Sequence, residues 1–196
     1  MNIRITSLLI LIVSGCASTQ DNSTQNYKWS DNVNYSEMRR KIGWSDSYDS
    51  ICTHGRPLAA MGQAMNNDEW KRAVVLGKAW LGKCPIDIRV HYYLGISLEN
   101  LGLEVESKDH FRWVKGLMDD LVASGDGESP ETAYEVISVS EEYDAIYFFG
   151  LKKKSQALVS GDIMSDLIVA IDDKGGEVSI YFNPAAHFAR LAKRFR

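Results

Sequence analysis

Residues 166–183 read DLIVAIDDKGGEVSIYFN. Two runs rich in Val, Ile, Tyr and Phe flank Asp173-Lys174-Gly175-Gly176, a polar, glycine-bearing turn, and that arrangement is a strong β-hairpin signal. The acids beside the turn lack the alternating oxygen ligands and closing Glu of a calcium loop, so they read as turn chemistry. Working outward, Gln156 to Val159 is strand-like, and Glu131 to Ile137 reads as a strand or a short helix. Ser138-Val139-Ser140-Glu141 has the spacing of a capping box opening a short helix that runs to about Gly150. A final helix, His187 to Arg196, would present Phe188, Leu191 and Phe195 to one side. These pieces make residues 126–196 a small α+β region that seals the open end of what precedes it.

The break is Gly125-Asp126-Gly127-Glu128-Ser129-Pro130. Before it, residues 35–125 follow a helical period. Ser36 to Ile42 forms a first helix ended by Gly43. Pro57 opens a second through Leu58, Ala59, Met61, Ala64 and Met65. Asn66-Asn67-Asp68 recaps the chain into a helix from Glu69 to about Lys83, with Trp70, Ala73, Val74, Gly77 and Leu81 on one face. Asp87 caps a helix bearing Val90, Leu94, Leu98 and Leu101. The next carries Phe111, Val114, Leu117, Met118 and Leu121. Framed as 34-residue units starting at His54 and Ile88, the two hairpins resemble a TPR pair, with Leu94-Gly95, Ala73 and Pro85 as the best matches. The second unit lacks the terminal Pro. The expected class is therefore α+β: TPR-like antiparallel helical hairpins, then a small antiparallel sheet with a C-terminal helix.

Cys52 and Cys84 bracket the first hairpin, whose antiparallel geometry would bring them together; a bridge is expected, with two buried free thiols as the alternative. On the chain-entropy argument that bridge contributes roughly 3–4 kcal/mol. There is no Cys-x-x-Cys, and no two further ligands stand at metal-binding spacing, so no metal is expected.

The N-terminus sets the compartment. Arg4 precedes an apolar run, Ile5 to Val13, that is far shorter than the roughly 20 residues a bilayer span requires. It ends in Val13-Ser14-Gly15-Cys16, which resembles a bacterial lipobox. Residues 1–15 thus read as a cleaved signal, Cys16 as the lipidated new N-terminus, and 16–34 as a polar, flexible tether of r.m.s. span about 25 Å. Ala17, where an Asp would favour the inner membrane, points to the outer membrane facing the periplasm, with surface display as the variant. A net charge of −4 and a pI near 5.6 argue against nucleic-acid binding.

No motif argues for catalysis: Gly-x-Ser-x-Gly, P-loop and dinucleotide fingerprints are missing, and none of His54, His91, His110 and His187 has zinc-enzyme spacing. His91 reads as packing and His110 as part of a solvated helix face. Glu141, Glu142 and Asp144 sit at a helix start, where the dipole favours acids. Lys152-Lys153-Lys154 reads as edge protection, and Arg190, Lys193, Arg194 and Arg196 as cations suited to a helix C-terminus with no acid nearby. The expectation is a non-enzymatic, cofactor-free module, membrane-held through its lipid, that binds a protein partner. Tyr92, Tyr93, Arg112 and Trp113 would line its concave face, since aromatics and Arg dominate contact energies, with core packing as the alternative for each. A small-ligand or inhibitor-type protein with its site at the sheet, or an envelope hydrolase, are the rivals.

Thr132-Ala133-Tyr134-Glu135-Val136-Ile137-Ser138, Glu141-Glu142-Tyr143, Gly150-Leu151-Lys152, Lys154 to Val159 and Val178 to Asn183 together resemble a bacterial family, domain of unknown function 4919. The resemblance extends over about residues 35–185. It implies helices followed by a small sheet, and it implies no activity and no catalytic residues.

Overall fold

A computed structural model describes residues 33–194. The lipobox, Cys16, nearly all of the tether, Phe195 and Arg196 lie outside the described residues. The first helix, α1 (Tyr35–Gly43), starts where Asn34 accepts the Glu37 N–H at 3.0 Å. A five-residue helix, α2 (Tyr48–Cys52), follows; it is too short for a periodic pattern to announce it. Then come α3 (Leu58–Asn66), α4 (Trp70–Leu81), α5 (Ile88–Asn100) and α6 (Glu104–Ala123). Asp87 caps α5 by accepting the Val90 N–H at 3.1 Å, and Gly102, at φ +72°, ends it.

Successive helices from α3 to α6 pack on one another around Met61, Leu94, Leu98 and Leu117, all fully buried. Between α5 and α6 a Cβ on Gly95 would lie 2.9 Å from the Phe111 ring, so the small residue at this position sets the helix spacing. Cys52 and Cys84, 32 residues apart and both buried, are disulfide-bonded with Cα atoms 5.2 Å apart. The bridge ties α2 to the end of the α3–α4 hairpin.

Beyond the break, the alternatives for residues 131–137 both occur, as a 3-10 turn at Pro130–Thr132 and a two-residue strand, β1 (Tyr134–Glu135). Helix α7 (Val139–Phe148), the strands β2 (Lys152–Val159), β3 (Ser165–Ile171) and β4 (Glu177–Asn183), and helix α8 (Ala185–Arg194) complete the chain. The sheet order is β1-β4-β3-β2. Three strands are antiparallel, with the hairpin in register from Asp166↔Phe182 to Ile171↔Glu177. At its tip Gly175 takes φ +85° and the Asp172 carboxylate accepts the N–H groups of Lys174 and Gly176 at 2.9 and 2.7 Å. The sheet is antiparallel, as expected, except at the two-residue β1, which pairs parallel to β4 through Tyr134↔Phe182. The chain crosses from β1 through α7, β2 and β3 before it returns, so β1 and β4 run the same way.

A second apolar cluster lies under the sheet: Val136, Ala145, Ile146, Ile168, Ala170, Ile180, Phe182 and, from α6, Leu121. The long α6 therefore feeds both clusters, with Leu117 in the helical one and Leu121 in the sheet one. The C-terminal helix buries a side other than the one that carries Phe188 and Leu191. Ala186 and Arg190 are the buried positions of α8, while Phe188 and Leu191 are only half-buried. The Arg190 guanidinium donates to the carbonyls of Gly43 and, at 2.7 Å, Ile137. Acids also stand beside the α8 cations, contrary to the sequence reading: Asp49 faces Arg190 and Arg194, and Asp46 faces Lys193. They come from the α1–α2 segment, so distant in sequence that local inspection does not place them there.

Candidate functional site

Helix α7 is the crossing point of the molecule, and its acids define what that crossing can do. Ser138 caps it by accepting the Glu141 N–H at 3.3 Å. In a capping box Glu141 would return to the Ser138 N–H. Here it accepts the Ile137 N–H at 2.7 Å and receives the fork of Arg39, at 2.8 and 2.9 Å. Arg39 also reaches Asp120 at 3.0 Å and the Glu135 carbonyl. One turn on, Asp144 pairs with Arg56 at 2.5 Å and Arg89 at 3.0 Å. Arg56 makes a second, two-pronged pair with Asp87, both contacts 2.7 Å, and Asp87 also accepts the Trp80 indole N–H at 2.8 Å. Bidentate pairing of this kind satisfies a buried carboxylate fully. Glu141 and Asp144 thus fasten α7 to α1, α5 and the α2–α3 segment.

Glu142 turns the other way, under the sheet, and is completely buried. Gln156 donates to one carboxyl oxygen at 3.1 Å, and the other oxygen has no hydrogen-bond partner. Burial, and then the neighbouring Asp166 carboxyl, push Glu142 up to about 9, so it is a neutral acid at physiological pH. With no exposure, it cannot meet a substrate in this conformation.

The histidine readings divide. His91 is a core residue, as expected, but the solvated face expected for His110 is corrected: it is buried against His91, with the Nδ1 atoms 2.9 Å apart. His91 Nε2 lies 2.9 Å from the Pro85 carbonyl. The consistent tautomers have His91 donating to Pro85 and accepting from His110. Burial lowers His91 to about 3 and His110 to about 4. Trp113 stacks on His91 at 5.0 Å, meets Tyr35 edge-on and is 3% exposed. It is a core side chain and not a docking contact, because its position on α6 faces α5. Arg112 is exposed and bonds Asp109 one turn back. Tyr93 packs on the helical core.

Tyr92 has a different setting. Its ring is 6.2 Å from Phe111, 6.0 Å from Tyr147 and 5.3 Å from Phe148. The Arg89 guanidinium lies 3.7 Å over the Tyr147 ring, and Tyr147 is 44% exposed. This is a surface seam of aromatics and Arg drawn from α5, α6 and α7. Arg89, Tyr147 and Phe148 escaped the sequence reading because they meet Tyr92 only after α7 crosses α5.

A cleft of about 320 Å³ opens between α1, the end of α6, β1 and α8, with Arg40, Trp44, Ser124 and Asn183 in its lining. Among the described residues no cluster of His, Cys, Asp or Glu is arranged to hold a metal, and no helix is long and apolar enough to cross a membrane. Lys152-Lys153-Lys154 opens the edge strand β2, where Lys154 pairs with Glu177. Among curated proteins and among solved structures, nothing matches the chain. The family model described as Domain of unknown function (DUF4919) matches residues 44–189, from the end of α1 through the first turns of α8. With that match spanning most of its length, the chain belongs to the DUF4919 family.

Proposed function

We propose that this protein is a non-catalytic binding or scaffolding module of the bacterial envelope. Lipid on Cys16 holds it, most favourably at the outer membrane facing the periplasm, and it docks a protein partner. The carrying observation is the aromatic seam of Tyr92, Phe111, Tyr147 and Phe148 with Arg89 stacked on it. Large rings and a stacked guanidinium on a rigid helical base are the composition of interface hot spots. In this reading α3 to α6 are a TPR-like pair whose outer end is closed by α7, and the seam replaces Trp113 and Tyr93 as the docking residues. What supports binding over chemistry is that Glu141 and Asp144, the acids placed at the crossing, are committed to arginines.

The test is photo-crosslinking in intact cells with a photoreactive amino acid at Tyr147. The expected result is one discrete adduct. That adduct disappears on Arg89→Ala and also in the Cys16→Ser form, which is no longer anchored. Adducts that are equally strong with a probe at Lys115, on another exposed part of α6, would remove the seam as the docking site.

A further inference from the structure

The cleft of about 320 Å³ between α1, the end of α6, β1 and α8 shares no residue with the aromatic seam. Local rules place the side chains on each of its walls. Ser36, Arg40 and Trp44 follow one another at four-residue spacing, so they lie along one side of α1 and its C-cap. Glu135 of β1 and Asn183 of β4 are register partners and share one face of the sheet. The neighbouring pair, Tyr134↔Phe182, takes the opposite face and packs into the sheet core. Ser124, at the end of α6, accepts the Glu135 N–H at 2.8 Å and holds β1 against that helix. Ala185 and Ala186 open α8 and border the cleft with little bulk.

The charges in the lining divide into committed and open ones. Arg39, 5% exposed, bonds Asp120, Glu141 and the Glu135 carbonyl, so the Asp120 carboxylate is matched as well. That leaves Arg40 and Glu135, one of each sign. Both are exposed, and among the described residues neither makes an ion pair, with each other or elsewhere. Lys41 and Glu37, the remaining charges of α1, do not line the cleft. Helix ends of both signs border it too, the carboxyl end of α6 and the amino end of α8. Asn183 Oδ1 is taken by the Ala185 N–H at 3.0 Å, which leaves its NH2 to donate, and the Ser36 hydroxyl is also open. Trp44, 48% exposed, adds one large apolar ring.

We propose that this cleft binds a short peptide of two or three residues with both ends free, its carboxylate on Arg40 and its ammonium facing Glu135. The balance of charge selects the ligand class. A simple anion is repelled by Glu135 and a simple cation by Arg40, whereas a zwitterion satisfies both. The placement of the two charges sets the length. Arg40 stands on α1 and Glu135 on β1, on different walls. A free amino acid carries both charges on one carbon, while an extended chain of two or three residues spans about 7–11 Å. The volume sets the upper limit, since 320 Å³ is at the small end of the roughly 300–1,000 Å³ of ligand pockets. Ser36 and Asn183 supply hydrogen bonds to the peptide groups, and the Trp44 ring packs a side chain. Neither the lipid anchor nor the docking seam enters this inference.

The experiment is saturation-transfer NMR on the full protein in detergent micelles, with its disulfide intact. The probes are a panel of dipeptides and tripeptides with apolar, aromatic, acidic and basic side chains. Members with free ends are expected to take up saturation from the protein. Amidating the carboxylate, or acetylating the amine, is expected to weaken binding about tenfold, because each removes one charge-assisted contact. Arg40→Gln is expected to erase the difference between free and amidated peptide, and Glu135→Gln the difference between free and acetylated peptide. A panel in which no member takes up saturation overturns the site. Doubly capped peptides that bind as tightly as free ones overturn the zwitterionic class. Both end-group differences persisting in both variants put the peptide elsewhere and overturn the cleft. Arg40 and Glu135 are exposed, and circular dichroism checks that each variant is folded.

Discussion

Glu142 is an acid kept neutral by its surroundings, and the sign of its effect on stability follows. Its folded-state value, about 9, lies above the ordinary 4.5. The folded state therefore binds the extra proton: the stabilisation is complete below about pH 4.5 and is lost as pH rises through 9. Glu142→Gln keeps the shape and removes the titration. It is expected to unfold at higher urea than the natural protein near pH 8 and at about the same urea near pH 4. A variant weaker at both pH values would mean that Glu142 is ionised in the fold. His91 and His110 act in the opposite sense. With folded values near 3 and 4, below the ordinary 6.5, they contribute stability above pH 6.5 that is lost as pH falls through 4. The imidazole proton resonances of both are expected to stay at their neutral positions from about pH 7 to pH 5.

At the level of elements, the fastenings of α7 and of the α3–α4 hairpin set stability. Arg39→Met leaves Glu141 and Asp120 without their cation, and the Arg39 and Glu141 side chains are 7% and 6% exposed. A loss of about 3–5 kcal/mol is expected by chemical denaturation, and adding Glu141→Leu should return much of it, since the unpaired buried charge is the main cost. Reducing the Cys52–Cys84 bridge should remove about 2–5 kcal/mol, read as a lower thermal midpoint with reductant. Gly95→Val forces α5 and α6 apart at Phe111, and an expected loss of about 1–3 kcal/mol would show in the same thermal scan.

Across the whole molecule, the helical and sheet halves are joined by charge as much as by apolar contact. Arg39, Arg56, Arg89 and Arg190 each carry a bond from one half to the other, Arg190 through the Gly43 carbonyl. In the doubly changed Arg40→Glu and Lys41→Glu protein, the Tyr147 crosslink is expected to persist, because neither charge belongs to the seam.

The sequence alone determined every element that rests on a local rule. Hydrophobic period placed α3 to α6, Asp87 and Ser138 marked their helix starts, and Asp173-Lys174-Gly175-Gly176 fixed the hairpin. The spacing of Cys52 and Cys84 around one hairpin sufficed to expect their bridge. Only the tertiary structure decided the rest, for one recurring reason: the partners lie far apart along the chain. Arg39 finds Glu141 102 residues away, and Arg190 finds the carbonyl of Gly43 147 residues away. So α8, whose period sets Phe188 and Leu191 to one side, turns Arg190 in. Buried carbonyls and Asp49 hold its charge there better than an apolar contact could satisfy those same carbonyls. Trp113 and His110 were drawn inward together by the α5–α6 packing, and Tyr92 became a surface feature only when α7 set Tyr147 and Phe148 against it. Period and capping are properties of a few neighbouring residues, whereas burial of a charge or a ring is a property of everything that packs around it.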